Sequence, residues 1–553
     1  MVCKGTDGVG RRGLLTAAGV AGLAAAVPAA QAKPGGSGGA GRLATPPEAV
    51  VETRSGKLRG AVRDGVFVFK GAPYGKDTGG AARFLPPQSF PAWQGVRTAL
   101  TYGSCCPQVA RGGWKNDETA FIYDWDDGYP GEDCLRLNVW SAGLAGKPRP
   151  VMFWIHGGGY ETGSSQELPA YDGERLARRG ELVVVSVNHR LGPFGFLDLS
   201  QLGGERYGLS GNVGMLDLVA ALEWVRDNIA AFGGDPGNVT IFGQSGGGAK
   251  VSTLMAMPAA KGLFHKAIVE SGSLLNVSDP AQTKRLAEAV LKALNLSVGD
   301  LGKLGDVPAA ALVAAGETAK ASMPKPPRGS INLGWQPVAD GMAIPGQTWA
   351  NGAPALSANV PMIIGSNLNE LSLSLGNPRL EAMGEDQAKG MSATMLGGAP
   401  AGAWAVFRAA DPAAKPVEIL SRIVSGLFRV PAVTQAQAKA RQGGAPAYLY
   451  RFDYNPKTVL DGRVRAFHCA EMAYAFDNID RCLNSTGGTP EARRLAARMS
   501  DAWIAFARTG DPNHKGLPHW PPVSAAATPN MLFDAVCTLK DDPDRAELAA
   551  LKA

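Results

Sequence analysis

At 553 residues, 45% hydrophobic and 19% charged, the chain carries enough apolar mass for a large core, which excludes a disordered or fibrous protein. A formal net charge of +6 without basic clusters leaves no electrostatic footprint for nucleic acid. Length alone permits several small domains, so the domain count rests on the order of elements.

The first residues read as an address. Arg11-Arg12-Gly13-Leu14-Leu15 opens an Ala/Gly-rich apolar run that ends at Ala30-Gln31-Ala32, the pattern of a twin-arginine export signal with an A-x-A cleavage site over 1–32. The apolar part, 14–27, is short of the roughly 20 residues a membrane span needs, so the reading is an exported, periplasmic or extracellular protein without a stable membrane anchor. Gly/Ser-rich 33–41 reads as a linker, and 42–553 as one folded domain. Export would place Cys105, Cys106, Cys134, Cys469, Cys482 and Cys537 in an oxidising compartment. The chain has no C-x-x-C pair and no H-E-x-x-H helix, and its six histidines are scattered, so no metal site is expected.

Short β segments come first, at 56–61 and 66–70. From Pro150 the texture changes. Apolar runs at 151–155, 182–187, 239–242, 267–269, 362–364 and 447–452 alternate with helical patterns, which predicts a mostly parallel sheet covered on both faces. Leu218, Leu222, Val225, Ile229 and Phe232 recur at helical spacing, and Gly233-Gly234 ends the pattern. A largely helical stretch over about 279–440, broken by the strand at Met362, reads as insertions roofing one end of the sheet.

Gly243-Gln244-Ser245-Gly246-Gly247 is G-x-S-x-G between a strand and a helix. Glycines two before and two after the serine make room for a strained turn that exposes a nucleophile. Trp154-Ile155-His156-Gly157-Gly158-Gly159-Tyr160 follows a strand and offers backbone N–H groups with no side chain in the way, as an oxyanion requires. The run lacks G-x-G-x-x-G and a Walker lysine, so a phosphate cradle does not fit. A serine nucleophile needs a base, and the base an orienting carboxylate, in the chain order serine, acid, histidine. On order alone His468, His514 and His519 compete as base, and Glu370 and Asp340 as acid.

With these residues in place, the chain resembles the type B carboxylesterases, which include cholinesterases and bacterial nitrobenzyl esterases. Phe232-Gly233-Gly234 through Ser245-Gly246-Gly247 fits that family's active-site signature, and Glu132-Asp133-Cys134-Leu135-Arg136-Leu137-Asn138-Val139 its second one. Gly71-Ala72-Pro73-Tyr74, Glu270-Ser271-Gly272 and Trp503-Ile504-Ala505-Phe506-Ala507 match as well, so that the likeness covers 50–533. It implies an α/β-hydrolase fold and cofactor-free hydrolysis of a small-molecule ester, with Ser245 as nucleophile, His468 as base and Glu370 as acid. The oxyanion donors would be Gly158, Gly159 and Gly246, and a disulfide would join Cys106 to Cys134. The rivals are a lipase acting on insoluble acylglycerols and a non-catalytic binding protein on the same scaffold. The second conflicts with the intact Ser, His and Glu.

Three positions depart from the family pattern: Arg136 replaces an aromatic, Gly246 an alanine and Leu371 a glycine. Glycine at 246 is expected to loosen its oxyanion donor, because it restrains the backbone less. The segment from Cys106 to Cys134 is rich in acids and aromatics, and the resemblance puts it at the active-site entrance, with Trp125 near a substrate-binding tryptophan of the cholinesterases. Either it steers neutral or cationic esters inward, or its acids are a solvated surface and its aromatics an anchor.

Overall fold

Successive side chains of the central strands enter two different cores. Val151, Phe153 and Ile155 pack into one apolar layer, and Met152 and Trp154 into the other. Val183, Val185 and Val187 oppose Val184 in the same way, and Ala447 and Leu449 oppose Tyr448 and Tyr450. A strand buried on both faces has no polar side to show, which is why these segments read as nearly continuous apolar runs, with Ser186 and Arg451 as interruptions.

The computed structural model describes residues 42–109, 117–324, 334–397 and 402–552. The stretches expected to be an export signal and a linker, and Trp114 of the segment between Cys106 and Cys134, lie outside them. The main sheet contains β1 (Val66–Pro73), β2 (Arg136–Ser141), β3 (Arg149–Ile155), β4 (Val183–Val187), β5 (Gly234–Gln244), β6 (Lys266–Glu270), β7 (Met362–Asn367), β8 (Ala447–Phe452), β9 (Pro529–Phe533) and β10 (Thr538–Asp541). Its spatial order from β1 is β1-β2-β4-β3-β5-β6-β7-β8-β9-β10, and two short strands, Leu43–Ala44 and Ala61–Arg63, extend the β1 edge. From β4 to β9 every neighbouring pair is parallel, while both margins are antiparallel. The expected 56–61 strand splits: Gly56–Arg59 joins a separate three-stranded sheet and Ala61–Arg63 the main one. Strands β2, β9 and β10 were not foreseen. Their runs mix apolar and polar residues, and pairing with neighbours far along the chain decides their state.

Helices cover both faces. The short α1 (Asp117–Tyr123) precedes β2. Helix α2 (Val213–Asn228) tightens into a 3-10 turn through Phe232 and stops at Gly233, whose φ of 77° is the left-handed cap that glycine takes without strain. Helix α3 (Gly246–Leu254) follows β5, and α4 (Pro280–Ala293) and α5 (Ala309–Ser322) pack on each other. The long α6 (Pro416–Gln442) lies on β7 and β8, so its stretch covers sheet. In α7 (Pro490–Thr509) Leu495, Met499, Trp503 and Phe506 recur every three or four residues on the buried face, and the Thr489 side chain caps its start. No helix among the described residues is long and apolar enough to cross a membrane.

After β3 the chain passes to β4 on one side, then returns as β5 on the other, which opens a crevice at the strand C-termini where the direction reverses. Arg190 pins the exit of β4 to α2: Nη2 and Nε donate to Asp217 at 2.6 and 2.8 Å, and Nη1 to Leu85 O at 2.7 Å. Both side chains are essentially sealed from solvent, at 1% and 0% exposure. Removing one partner strands a buried charge, so Asp217→Ala should cost about 3–5 kcal/mol in urea unfolding. Arg54→Ala, which breaks the exposed pair with Asp227, should cost less than about 1 kcal/mol.

Candidate active site

At the end of β5 the chain turns sharply into α3, and Ser245 sits in the turn at φ 57°, ψ −123°. A non-glycine residue there costs on the order of 1–3 kcal/mol and persists only when its surroundings enforce it. They do. Ser245 N donates to Glu270 O at 2.8 Å, and Ala249 N donates to Ser245 O at 3.0 Å. A Cβ at Gly243 would lie 2.6 Å from the backbone of Gly247, and one at Gly247 2.0 Å from Ile155 O, so the spacing of the motif is a steric requirement.

The glycine run leaves β3 beside this turn. Gly158 and Gly159 have φ of 80° and 64°. Gly158 O accepts from Glu161 N at 3.3 Å and Thr162 N at 3.1 Å, which turns the carbonyl away, while among the described residues no hydrogen bond uses the N–H of Gly158 or Gly159. Gly246 opens α3, so its N–H has no intrahelical acceptor either. A Cβ on Gly246 would stand 2.4 Å from Gly159 N, so the two turns touch backbone to backbone. The glycine at 246, expected to loosen its donor, is instead wedged against the loop. Beneath it Lys250, fully buried, donates from Nζ to His156 O at 3.2 Å.

Glu370 and His468 come from the exits of β7 and β8. Parallel register aligns Asn367 with Phe452, and Leu368 N donates to Phe452 O at 2.9 Å, so the two loops leave the sheet side by side. His468 Nδ1 lies 2.6 Å from Glu370 Oε2, Asn367 N donates to Glu370 Oε1 at 2.7 Å, and His468 N donates to Glu370 O at 3.1 Å. The carboxylate is sealed from solvent and the ring is 21% exposed. Burial pulls the imidazole pKa down, but the hydrogen bond and charge of Glu370, with Glu471 behind, hold it above the ordinary value. The Phe428 ring of α6 packs 4.9 Å from the imidazole. Gln244 Nε2 stands 3.4 Å from both ring nitrogens, which puts the amide over the ring face. Among the described residues no hydrogen bond joins the Ser245 hydroxyl to His468. The ring lies beside the residue that precedes the serine.

The rivals go elsewhere. Asp340 accepts from Asn212 Nδ2 at 2.8 Å and from Met342 N and Ile344 N at 2.9 Å, closing a turn. His514 Nε2 lies 3.0 Å from Arg498 O, and Gly516 N donates to its Nδ1. Cys106 and Cys134 are buried thiols within hydrogen-bonding reach of each other. Trp125 is half-buried against the apolar layer that holds Phe467. Arg136 ion-pairs with Asp133 and stacks 5.3 Å from the Phe90 ring, and Leu371 N donates to Ser425 Oγ on α6 at 3.3 Å.

Sequence reasoning assigned no role to a set of carboxylates behind the histidine. Glu471 Oε2 accepts from Asn367 Nδ2 at 2.6 Å, and Glu270 Oε1 from Trp503 Nε1 at 2.7 Å. Both are completely buried. Burial raises both carboxyl pKa values, Glu471 and Glu370 adding repulsion in turn, so the pair is protonated well above the usual carboxylate range. Glu270 stood in a motif already noted and Glu471 three residues after the expected base, but only their burial sets them apart.

A strained serine between a strand and a helix, bare amides beside it and a histidine held by a glutamate, all at the C-terminal edge of a sheet with helices on both faces, define an α/β hydrolase. The family model of the carboxylesterases matches residues 47–549, and the chain belongs to that family. It is 36% identical over 498 residues to the para-nitrobenzyl esterase of Bacillus subtilis (strain 168), covering 90% of this chain and 96% of that one. The phenmedipham hydrolase of Pseudarthrobacter oxydans is 34% identical over 483 residues, 85% and 92% of the two chains. Among solved structures, a Geobacillus stearothermophilus carboxylesterase superposes with a TM-score of 0.76 at 37% identity, covering 91% of this chain and all of that one. An esterase of Clostridium hathewayi that hydrolyses aliphatic aromatic polyesters gives 0.77 at 36% identity, covering 93% and 99%. The protein is a carboxylesterase.

The buried carboxyls make stability depend on pH. Their folded pKa values lie above the unfolded ones, so the folded state holds protons that the unfolded state has released. The resulting stabilisation is complete in acid and is lost as pH rises through neutrality. Urea unfolding at pH 5, 6.5 and 8 should show wild-type stability falling by up to about 1.4 kcal/mol per pH unit for each group, and Glu270→Gln should flatten that fall. A wild-type profile that is flat over this range contradicts the assignment.

Proposed function

We propose that Ser245 is the nucleophile, His468 the base and Glu370 the orienting acid of this carboxylesterase. The observation that carries the reading is the 2.6 Å contact between His468 Nδ1 and Glu370 Oε2. It commits Nδ1–H to the carboxylate and leaves Nε2 as the lone pair that takes the serine proton. The Ser–His hydrogen bond is then formed when substrate binds, since free enzymes often hold such bonds long. Ser245 Oγ attacks the ester carbonyl while Nε2 accepts its proton, and the N–H groups of Gly158, Gly159 and Gly246 receive the charge on the carbonyl oxygen. The imidazolium returns the proton to the departing alcohol. Water, deprotonated by the same nitrogen, then hydrolyses the acyl-enzyme.

In this reading an export signal over 1–32 carries the enzyme across the membrane, and oxidation there joins Cys106 to Cys134, closing the entrance segment. The substrates are dissolved esters of modest size, consistent with relatives named for para-nitrobenzyl esters and for phenmedipham. Trp125 contacts the alcohol part at the entrance.

Ser245→Ala should lower kcat by at least about 1,000-fold with the fold intact, and His468→Ala should match it, while Asp340→Asn and His514→Ala stay near wild type. A fluorophosphonate should label Ser245 alone. Since the neutral imidazole is the working form, kcat/KM should fall as pH drops through an apparent pKa above about 6.5, and Glu370→Gln should move that midpoint down. Equal damage from Asp340→Asn would replace Glu370 as the acid. For the entrance, Trp125→Ala should raise KM more than it lowers kcat, and an Asp124→Asn, Asp126→Asn, Asp127→Asn triple variant should relieve a salt-sensitive penalty on anionic esters. If neutral, anionic and cationic esters respond alike, the acids are structural.

A further inference from the structure

The backbone of His468 is held from both sides by different parts of the chain. Its N–H donates to Glu370 O at 3.1 Å, and its carbonyl accepts from the Tyr123 hydroxyl at 2.9 Å. Tyr123 is the last residue of α1, in the segment between Cys106 and Cys134. The same hydroxyl is within hydrogen-bonding reach of Cys469 Sγ, and the Cys469 thiol donates to Gln244 Oε1 at 3.2 Å. Gln244 in turn lays its amide over the His468 ring and precedes Ser245 in the chain. Burial, with Glu471 and Glu370 near, pushes the Cys469 thiol well up, so it remains protonated and a donor.

Two further contacts fasten α1 to the histidine-bearing loop. Glu118 accepts from both Arg463 Nη groups, at 2.8 and 2.7 Å, and the Tyr123 ring meets Phe467 edge-on at 5.6 Å. The anchoring has something to oppose. Cys469, immediately after the histidine, has φ 81°, a left-handed conformation that costs a non-glycine residue on the order of 1–3 kcal/mol. The Tyr123 hydrogen bond to the preceding carbonyl lies directly beside that strained residue.

We propose that Tyr123 is a positioning residue for the base: its hydroxyl fixes the His468 carbonyl, and with it the imidazole, while the Cys469 thiol separately steadies the Gln244 amide over the ring, so that α1 and the reactive groups are set as one unit. The proposal rests on the reading of Ser245 and His468 given above. It assigns α1 a part in the chemistry, separate from any contact of the entrance segment with substrate.

The test is Tyr123→Phe, which removes one oxygen and keeps the ring against Phe467. A base displaced by a fraction of an ångström should lower kcat about tenfold, leave KM within about twofold, and slow fluorophosphonate labelling of Ser245 by the same factor as kcat/KM. Glu118→Gln, which loosens α1 at its far end, should give a smaller loss of the same kind, and the double variant should lose less than the product of the two. Unchanged kcat in Tyr123→Phe overturns the proposal, whether or not Tm falls, and so does a loss confined to KM. If Tyr123→Phe proves too thermolabile to assay, Glu118→Gln decides alone: a kcat loss upholds the tether and unchanged kcat overturns it. His468→Ala, measured alongside, separates the two readings. A dead His468→Ala with an unaffected Tyr123→Phe sinks only the tether, whereas an active His468→Ala sinks the assignment of the base.

Discussion

Two turns of backbone meet without side chains between them, and the site is arranged around that contact. The glycine run after β3 and the serine turn after β5 lie against each other so closely that a Cβ at Gly243, Gly246 or Gly247 would overlap backbone atoms. Such an approach is available because β3 and β5 are parallel neighbours that end at the same level, at the point where the sheet order reverses. The strain at Ser245 belongs to the same arrangement: the turn has to be sharp to bring the serine over the amides, and the hydrogen bond from its N–H to Glu270 O holds it so. The rigidity of the two strands, buried on both faces, resists relaxation of the turn.

Electrostatics behind the histidine follow from the same burial. Glu370, Glu471 and Glu270 lie close together with almost no access to water. Three ionised carboxylates in a low-dielectric interior would repel strongly, and the system resolves this by keeping protons on the rear pair while Glu370 faces the imidazole. Taken by themselves, these two raised carboxyls favour the folded state in mild acid over base.

How much of this was legible in advance varies with the range of the interaction. The serine turn and the glycine run could be read directly, because each is a local backbone requirement written in residue type. The parallel strands were legible for a similar reason: burial on both faces leaves mostly apolar residues, as in Val183–Val187, where Ser186 alone is polar. Strands β2, β9 and β10 escaped because their mixed runs, such as Arg136–Ser141, have no local preference strong enough to decide their state. At 246 the local argument pointed the wrong way. Glycine suggested a loose amide, and packing against Gly159 makes the position tight.

The sequence by itself determined the strand-helix alternation, the sharp serine turn and the glycine run. Its order of residues left the choice of acid and base open among Glu370, Asp340, His468, His514 and His519, and a likeness to a known family narrowed it. Only the tertiary structure brought Glu370 to His468 across 98 residues, Tyr123 to the His468 carbonyl across 345, and Glu270 and Glu471 into one buried cluster. Those meetings depend on the register of β7 with β8 and on how loops pack after leaving the sheet. Neither is encoded in any short stretch of chain, because each is set by the summed pairing and burial of segments that the sequence keeps far apart.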